Sequence, residues 1–327
     1  MNRIAIDAMG GDNMPAAAID GAIRAAKEGI KVVLVGREEL LQNELAKRNA
    51  SLDIYNATDV IDMKDNAANV RRRKESSVMK AAELVKLENA AAFVSMGHSG
   101  ATMAAALLVL GRIKGIERPA ILANIPSKSA YWALIDAGAN ADCKAKYLQQ
   151  FALMGSVYAR AFFNKSNPKV GLLSIGEEEG KGNELIKESY QVLKNTKAIN
   201  FFGNIEGRDL FNDVVDVVVT DGFTGNIVLK QAEGEAMSLV SWIKDALLNN
   251  GPLVKLGAAL VKPALRKVAE RLDPSEYGAQ PLLGVRGYAF IGHGSSDDIA
   301  VYNALKTAQR MVDAKLVEKI TEGISQI

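Results

Sequence analysis

Two histidines are present in the 327 residues, and both sit in glycine-flanked segments that follow apolar runs. His98 lies in Ser95-Met96-Gly97-His98-Ser99-Gly100-Ala101-Thr102, and His293 in Gly292-His293-Gly294-Ser295-Ser296-Asp297. Each is a strand-like run, a glycine loop and the start of a helix-like run. That arrangement presents backbone N–H groups and a helix N-terminus to an anion. Ser99 and Thr102 suit capping of the helix or binding of a ligand oxygen. Asp7-Ala8-Met9-Gly10-Gly11-Asp12 has the same form. So do Gly176 to Asn183 with its Gly180-Lys181-Gly182, Thr220-Asp221-Gly222-Phe223-Thr224-Gly225-Asn226, Gly203 to Asp209, and Asp136 to Asn140. A structural turn explains any one of these, and a lone histidine is usually structural. Recurrence after successive strands is what a ligand cleft requires.

Several chemistries fall away. The Gly10-Gly11 turn is neither a G-x-G-x-x-G dinucleotide fingerprint nor a P-loop. A G-x-S-x-G nucleophile elbow is lacking. Cys143, the sole cysteine, cannot form an internal disulfide and reads as an incidental thiol. His98 and His293 have neither helical i, i+4 spacing nor cysteine partners, so no metal site is expected, and no cofactor. Anion binding, positioning and oxyanion stabilisation remain.

The elements that must position these loops alternate. Short β-branched runs at 4–6, 32–35, 91–95, 120–124, 134–136, 170–174, 199–202, 214–220 and 288–291 alternate with Ala-rich helical runs such as 15–28 and 38–48. Strands separated by helices argue for βαβ units, a mainly parallel sheet and one α/β unit over 1–327, one- or two-lobed. One stretch departs from this. From Phe223 to about Leu272 the chain reads as helix, interrupted at 249–252 and at Pro263, with a helical excursion at about 235–275. Within it Leu253, Leu256, Leu260, Ala264, Val268 and Leu272 form a stripe at helical spacing, interleaved with Lys255, Lys262, Arg266, Lys267 and Arg271.

Lys+Arg 40 against Asp+Glu 38 leaves a net charge of +2, which gives no reason to expect nucleic-acid binding. The 48% hydrophobic and 24% charged composition is that of a globular chain and excludes a disordered one. No run approaches the ~18 apolar residues of a membrane span. MNRIAIDAMGGD reads as no signal peptide, so a reduced, cytoplasmic protein is expected.

Taken together, IAIDAMGGD (4–12), GRIKGIERPA (111–120), LIDAGAN (134–140), VGLLSIGEEEGKGNEL (170–185), FFGNIEGRDL (201–210), DVVVTDGFTGNIVLK (216–230) and HGSSD (293–297) resemble the bacterial acyl-carrier-protein:phosphate acyltransferases of phospholipid synthesis. The likeness runs from the first residues to the last helix. The family often has Ala-Gly-Asn-Thr-Gly where Met96-Gly97-His98-Ser99-Gly100 stands here. Asn13 replaces a common histidine, and Tyr277-Gly278-Ala279 a common Tyr-Gly-Gly.

The resemblance implies a three-layer, doubly wound fold similar to isocitrate/isopropylmalate dehydrogenases and phosphotransacetylases. It implies transfer of a long-chain acyl group from acyl carrier protein to inorganic phosphate. It also implies a homodimer whose acyl-phosphate product passes to a membrane glycerol-3-phosphate acyltransferase. On that reading Asp221, Asn226, Lys181 and His293 take catalytic roles. Gly10, Gly11, Asp12, Gly97, His98, Ser99, Gly100, Asn183, Thr224, Gly225, Ser295 and Ser296 bind phosphate or substrate, with Asp7, Asp12 and Asp221 orienting donors. The stripe at 253–272 is expected to meet either the membrane surface or a second subunit. Alternatives are a short-chain acyl-CoA phosphotransacetylase, a decarboxylating dehydrogenase on the same fold, or a non-catalytic, membrane-associated anion-binding protein.

Overall fold

A computed structural model describes residues 3–249 and 251–325. β1 (Arg3–Asp7) shows why the strands form as they do: Ile4 and Ile6 enter one hydrophobic cluster and Ala5 the other. Both faces of a parallel strand are covered, so the run is apolar throughout. α1 (Ala16–Lys27), β2 (Lys31–Gly36), α2 (Glu38–Lys47) and β3 (Asp53–Asn56) follow. Next come α3 (Ser77–Lys86), β4 (Ala92–Ser95), α4 (Ser99–Val109), and the consecutive strands β5 (Ala120–Pro126) and β6 (Tyr131–Ile135). α5 (Ala145–Phe162), β7 (Lys169–Leu173), α6 (Glu184–Lys194), β8 (Asn200–Ile205) and β9 (Val217–Val219) lead to the long α7 (Gly222–Leu248) and α8 (Pro252–Leu272). β10 (Ala279–Leu283), β11 (Tyr288–Gly292), α9 (Asp298–Asp313) and α10 (Leu316–Ile324) close the order.

The strands form one 11-stranded sheet ordered β3-β2-β1-β4-β11-β10-β5-β6-β9-β7-β8. Residues of α1, α5, α9 and α10 pack in the cluster on one face, and residues of α3, α4 and the base of α7 in the cluster on the other, giving three layers. Pairing is parallel from β3 through β11 and again from β6 through β8. Between these sets β10 runs antiparallel to both β11 and β5, and β5 antiparallel to β6. Three successive reversals make the second set run opposite to the first. The C-terminal ends of β1, β4 and β11 therefore lie at one end of the sheet, and those of β6, β9 and β7 at the other.

β3 and β10 were not foreseen, and β6 starts earlier than its apolar core. Pro263 does not interrupt the helix: α8 runs through it. A proline removes one i→i−4 bond and crowds the previous turn, and here it sits in a helix with no buried residue. α7 is capped at Asn249 and α8 starts from Gly251, with residue 250 outside the described residues. Leu253 is 84% and Leu260 78% exposed. No described helix is long and apolar enough to cross a membrane.

Candidate active site at the ends of β1, β4 and β11

Three glycine loops meet at one end of the sheet. Asp7, buried at the tip of β1, accepts through Oδ1 from the amides of Met9 (3.2 Å) and Gly10 (3.1 Å). Its Oδ2 accepts from Ser95 Oγ at the tip of β4 (2.8 Å), and Ser95 Oγ in turn accepts from Gly97 N (3.2 Å). The two loops touch backbone to backbone: a Cβ on Gly10 would lie 2.6 Å from Asp7 Oδ2 and 3.1 Å from Gly97 Cα. A contact of 2.6 Å is shorter than real Cβ atoms make, so position 10 requires glycine, while a Cβ on Gly97 would be a tight 3.2 Å from Gly10 Cα. The third loop joins through Asp12 N, which donates to Gly294 O (2.8 Å), and Asn13 Nδ2, which donates to Ser295 O (3.0 Å) and Ser296 O (3.2 Å).

Much of the donor capacity expected of these loops is already used. The amides of Gly10, Gly97 and Asp12 bind within the cluster, so Gly10 and Gly97 have no free amide to offer an anion. His98 caps α4: its Nδ1 accepts from Ala101 N (3.4 Å), which leaves the ring proton on Nε2. Thr102 Oγ1 donates to His98 O (3.2 Å), so neither Thr102 nor Ser99 is the cap. Ser99 and Gly100 form the first turn of α4, where backbone amides lack intrahelical partners. Ser295 is exposed and Ser296 buried, with Ser296 N turned onto His293 O (3.0 Å). Asp297 caps α9 by accepting from Ala300 N (2.9 Å).

α7 brings two further side chains to this end. It starts at the far end of the sheet and crosses the face, so its third turn arrives beside the β11 loop. Glu233 Oε1 is 3.4 Å from His293 Nε2, and Glu233 Oε2 is 2.8 Å from Lys230 Nζ. Burial pushes the Glu233 carboxyl up, but the His293 and Lys230 hydrogen bonds outweigh it and hold it below the usual carboxylate value. Lys230, Glu233, His293, Ser295, Ser296 and Asp297 line one recess of about 360 Å³. Lys230 and Glu233 were missed from sequence because each is an ordinary charge on a helix. Only counting turns from the Gly222 start would have put both on the face that meets His293.

The remaining expected residues do not join this group. Asp221 caps α7, accepting from Thr224 N (2.8 Å) and Thr224 Oγ1 (2.9 Å), so both side chains are engaged with each other. Gly225 is a packing glycine: a Cβ there would lie 1.9 Å from Asp136 O. Asn226 packs beside Gly138, where a Cβ would be 3.3 Å from its Oδ1. Asn183 caps α6 by accepting from Ile186 N (3.0 Å), and Lys181 folds its stem over Gly176. The Asp221–Asn226 turn packs against the Asp136 loop, and Lys181 and Asn183 follow β7 at the same end of the sheet, opposite His293. A convergence of Lys181, Asn183, Asp221, Thr224, Gly225 and Asn226 with the Gly10 and Gly97 loops is therefore not found within one chain. Asp136 itself is buried and accepts from Ile121 N (3.1 Å), Gly138 N (3.2 Å), Ala139 N (2.9 Å), Asn140 N (2.8 Å) and Asn140 Nδ2 (2.8 Å). Beside it, burial pushes the Cys143 thiol up to about 12, with the carboxylates of Asp136, Asp221 and Asp142 adding to the effect against the Gly222 amide. That sulfur stays protonated and is a poor nucleophile at neutral pH.

The chain is thus a mainly parallel α/β sandwich with three glycine loops at one end of its sheet and a histidine–carboxylate pair and a lysine beside them. The structure resembles a phosphotransacetylase from Streptococcus pyogenes, with a TM-score of 0.61 and 17% identity over 97% of this chain and 94% of that one. Residues 2–319 match the model of a family described as fatty acid synthesis protein. The chain is 54% identical to the phosphate acyltransferase of Thermus thermophilus over 325 residues, covering 99% of both chains. It is 52% identical to that of Elusimicrobium minutum over 330 residues, 99% of this chain and 96% of the other. The chain belongs to this family of phosphate acyltransferases and is an acyltransferase enzyme.

Proposed function

We propose that the enzyme transfers a long-chain fatty acyl group from the thioester of acyl carrier protein to inorganic phosphate, releasing acyl-phosphate for phospholipid synthesis. The carrying observation is the Lys230–Glu233–His293 cluster, which shares one recess with the Ser295–Ser296 loop. A bound phosphate oxygen attacks the thioester carbonyl carbon directly. The C–O bond forms as the carbonyl becomes an oxyanion, and collapse breaks the C–S bond. Phosphate is partly a dianion at neutral pH and needs little general-base help. The departing thiolate, with a pKa near ~8.5, gains modestly from a proton donor. Lys230 supplies positive charge for phosphate, and the α4 amides of Ser99 and Gly100 with the Ser295 hydroxyl supply donors. Glu233 orients His293 through Nε2 and presents the other ring nitrogen to the substrate, in the manner of a carboxylate–histidine pair.

The same reading makes the enzyme cytoplasmic, a homodimer, and a peripheral visitor to the membrane surface. There it hands acyl-phosphate to the membrane glycerol-3-phosphate acyltransferase. The exposed α7–α8 hairpin supports that placement. The test is free-thiol release from palmitoyl-carrier protein, palmitoyl-CoA and acetyl-CoA in the presence of phosphate. Palmitoyl-carrier protein is expected to be used fastest. A preference for acetyl-CoA would instead make the protein a short-chain phosphotransacetylase.

A further inference from the structure

A cavity of about 310 Å³ lies between the base of the α7–α8 hairpin and strands β5 and β10. Its walls are mainly apolar, with Ala123 and Ile125 from β5 facing Leu229, Ala232 and Ala236 of α7. The α7 residues recur at three- and four-residue spacing, so one stripe of the helix forms one side of the space. Leu239 continues that stripe, and Phe211 also lines the space. His293 and Glu233 line both this cavity and the polar recess that holds Lys230 and Ser295. An apolar chamber thus shares a wall with the group proposed above to face the thioester. It is also of the size that ligand pockets occupy, about 300–1,000 Å³.

We infer that this cavity takes the hydrocarbon tail of the acyl donor, with the carbonyl carbon at His293 and the chain running along α7 towards Leu239. Ala232 and Ala236 set how far the chain extends, because their small side chains keep the stripe open. The inference rests on the acyl-transfer reading above and adds to it where the tail goes. Removing methylenes from water stabilises the complex in proportion to the length that fits. A pocket of fixed depth discriminates roughly tenfold or more per misfitting methylene. The competing occupant is the pantetheine arm. Among the described residues, Tyr277 Oη and Asn124 Oδ1 are buried without a hydrogen-bond partner, and both residues line the cavity. An amide-bearing arm would pair with them, whereas the predominantly apolar lining favours the tail.

Ala236→Phe tests the inference. Thiol release with phosphate is measured for octanoyl-, myristoyl- and palmitoyl-carrier protein in wild type and variant, with melting curves for both. The expected result is at least a tenfold fall in the palmitoyl-to-octanoyl ratio of kcat/KM, with octanoyl transfer kept within about threefold. An unchanged ratio in an active variant overturns the inference. So does an equal loss at every chain length, which would assign the cavity to the pantetheine arm. If the variant fails to fold, wild type is photolabelled with palmitoyl-CoA carrying a diazirine at its methyl end. Label on Phe211, Ala236 or Leu239 supports the assignment, and label confined to other residues overturns it. Wild type that releases no thiol from any donor defeats the acyl-transfer reading itself, a distinct outcome.

Discussion

His293 Nε2 stands 3.4 Å from Glu233 Oε1, so a single contact ties the loop after β11 to the third turn of α7. Glu233 is held ionised by His293 and Lys230 against the pull of burial. His293→Ala is expected to lower kcat/KM by roughly 10²–10⁴-fold, the range of a lost acid–base group. Glu233→Gln keeps the shape and removes the charge, and should lower kcat more than it raises KM. Because the folded carboxyl sits below its ordinary value of 4.5, its stabilising contribution is fully present above that pH. It is lost as pH falls through the lower folded value. The stability gap between wild type and Glu233→Gln should therefore shrink as pH falls below the ordinary carboxylate value of 4.5. A gap that keeps growing below that pH would contradict the pairing.

His98→Asn is expected to be nearly neutral in rate and stability. His98 acts as the cap of α4 through Nδ1, and asparagine is among the best capping residues. His98→Ala should lower stability by about 1 kcal/mol. Chemical denaturation of both variants decides this. Equal losses in the two would mean that the ring does something other than cap.

Cys143 should be dispensable and slow to react. With its thiol pushed up to about 12, the thiolate fraction at pH 8 falls on the order of 10³-fold below that of an ordinary cysteine. Iodoacetamide is expected to label the native chain far more slowly than the unfolded one, and Cys143→Ala should keep activity within a few-fold. Trapping an acylated Cys143 after a phosphate-free quench would overturn direct attack by phosphate.

The two ends of the sheet can be told apart by phosphate dependence. Lys230→Met removes the cation of the recess and should raise the phosphate KM by roughly 10–100-fold, the scale of one charge-assisted hydrogen bond. Lys181→Ala and Asn226→Ala, at the other end, should leave it within about twofold. A KM raised by Lys181→Ala and untouched by Lys230→Met would move phosphate to the Asp136 end. Asp136→Asn is a separate matter. It turns one carboxylate oxygen into an N–H donor, which takes the acceptor from two or three of the five N–H groups and should destabilise by about 2–4 kcal/mol.

The loops were legible in the sequence because glycine and capping residues carry local meaning. Gly10, Gly97 and Gly294 fall where backbones touch, and Asp221, Asn183 and Asp297 cap helices as such residues do. The parallel strands were legible from their doubly buried runs. The direction of the second half of the sheet was not. It depends on β10, whose Ala-Gln-Pro-Leu-Leu has a proline where a central strand is not expected. That one unread strand, with β5, reverses the direction of everything after it and sends the Asp221 and Lys181 loops away from His293. Lys230 and Glu233 were invisible for a related reason: their role comes from where a long helix ends up, not from their neighbours in sequence.

The last prediction concerns the hairpin. α8 buries none of its residues and leaves Leu253, Leu256, Leu260 and Val268 exposed. Exposed leucines interleaved with basic residues are what an interfacial helix presents to lipid. Not all five basic residues are available. Arg271 is tied to the β5–β6 turn, donating to Ser127 O (2.8 Å) and Ala130 O (3.0 Å). Arg266 pairs with Glu270 at 2.9 Å, an exposed contact that salt and lipid can displace. Lys255, Lys262, Arg266 and Lys267 remain, and each adds about 1 kcal/mol near an anionic surface. Wild type should therefore float with anionic vesicles at low salt, release at high salt, and bind neutral vesicles weakly. Leu256→Glu/Leu260→Glu should abolish flotation with the melting curve unchanged, since neither leucine is buried. Arg271→Ala should instead lower stability and leave flotation in place. If the double variant floats as well as wild type, the hairpin is not the anchor. If it falls from dimer to monomer in sedimentation, the leucine stripe belongs to the subunit interface.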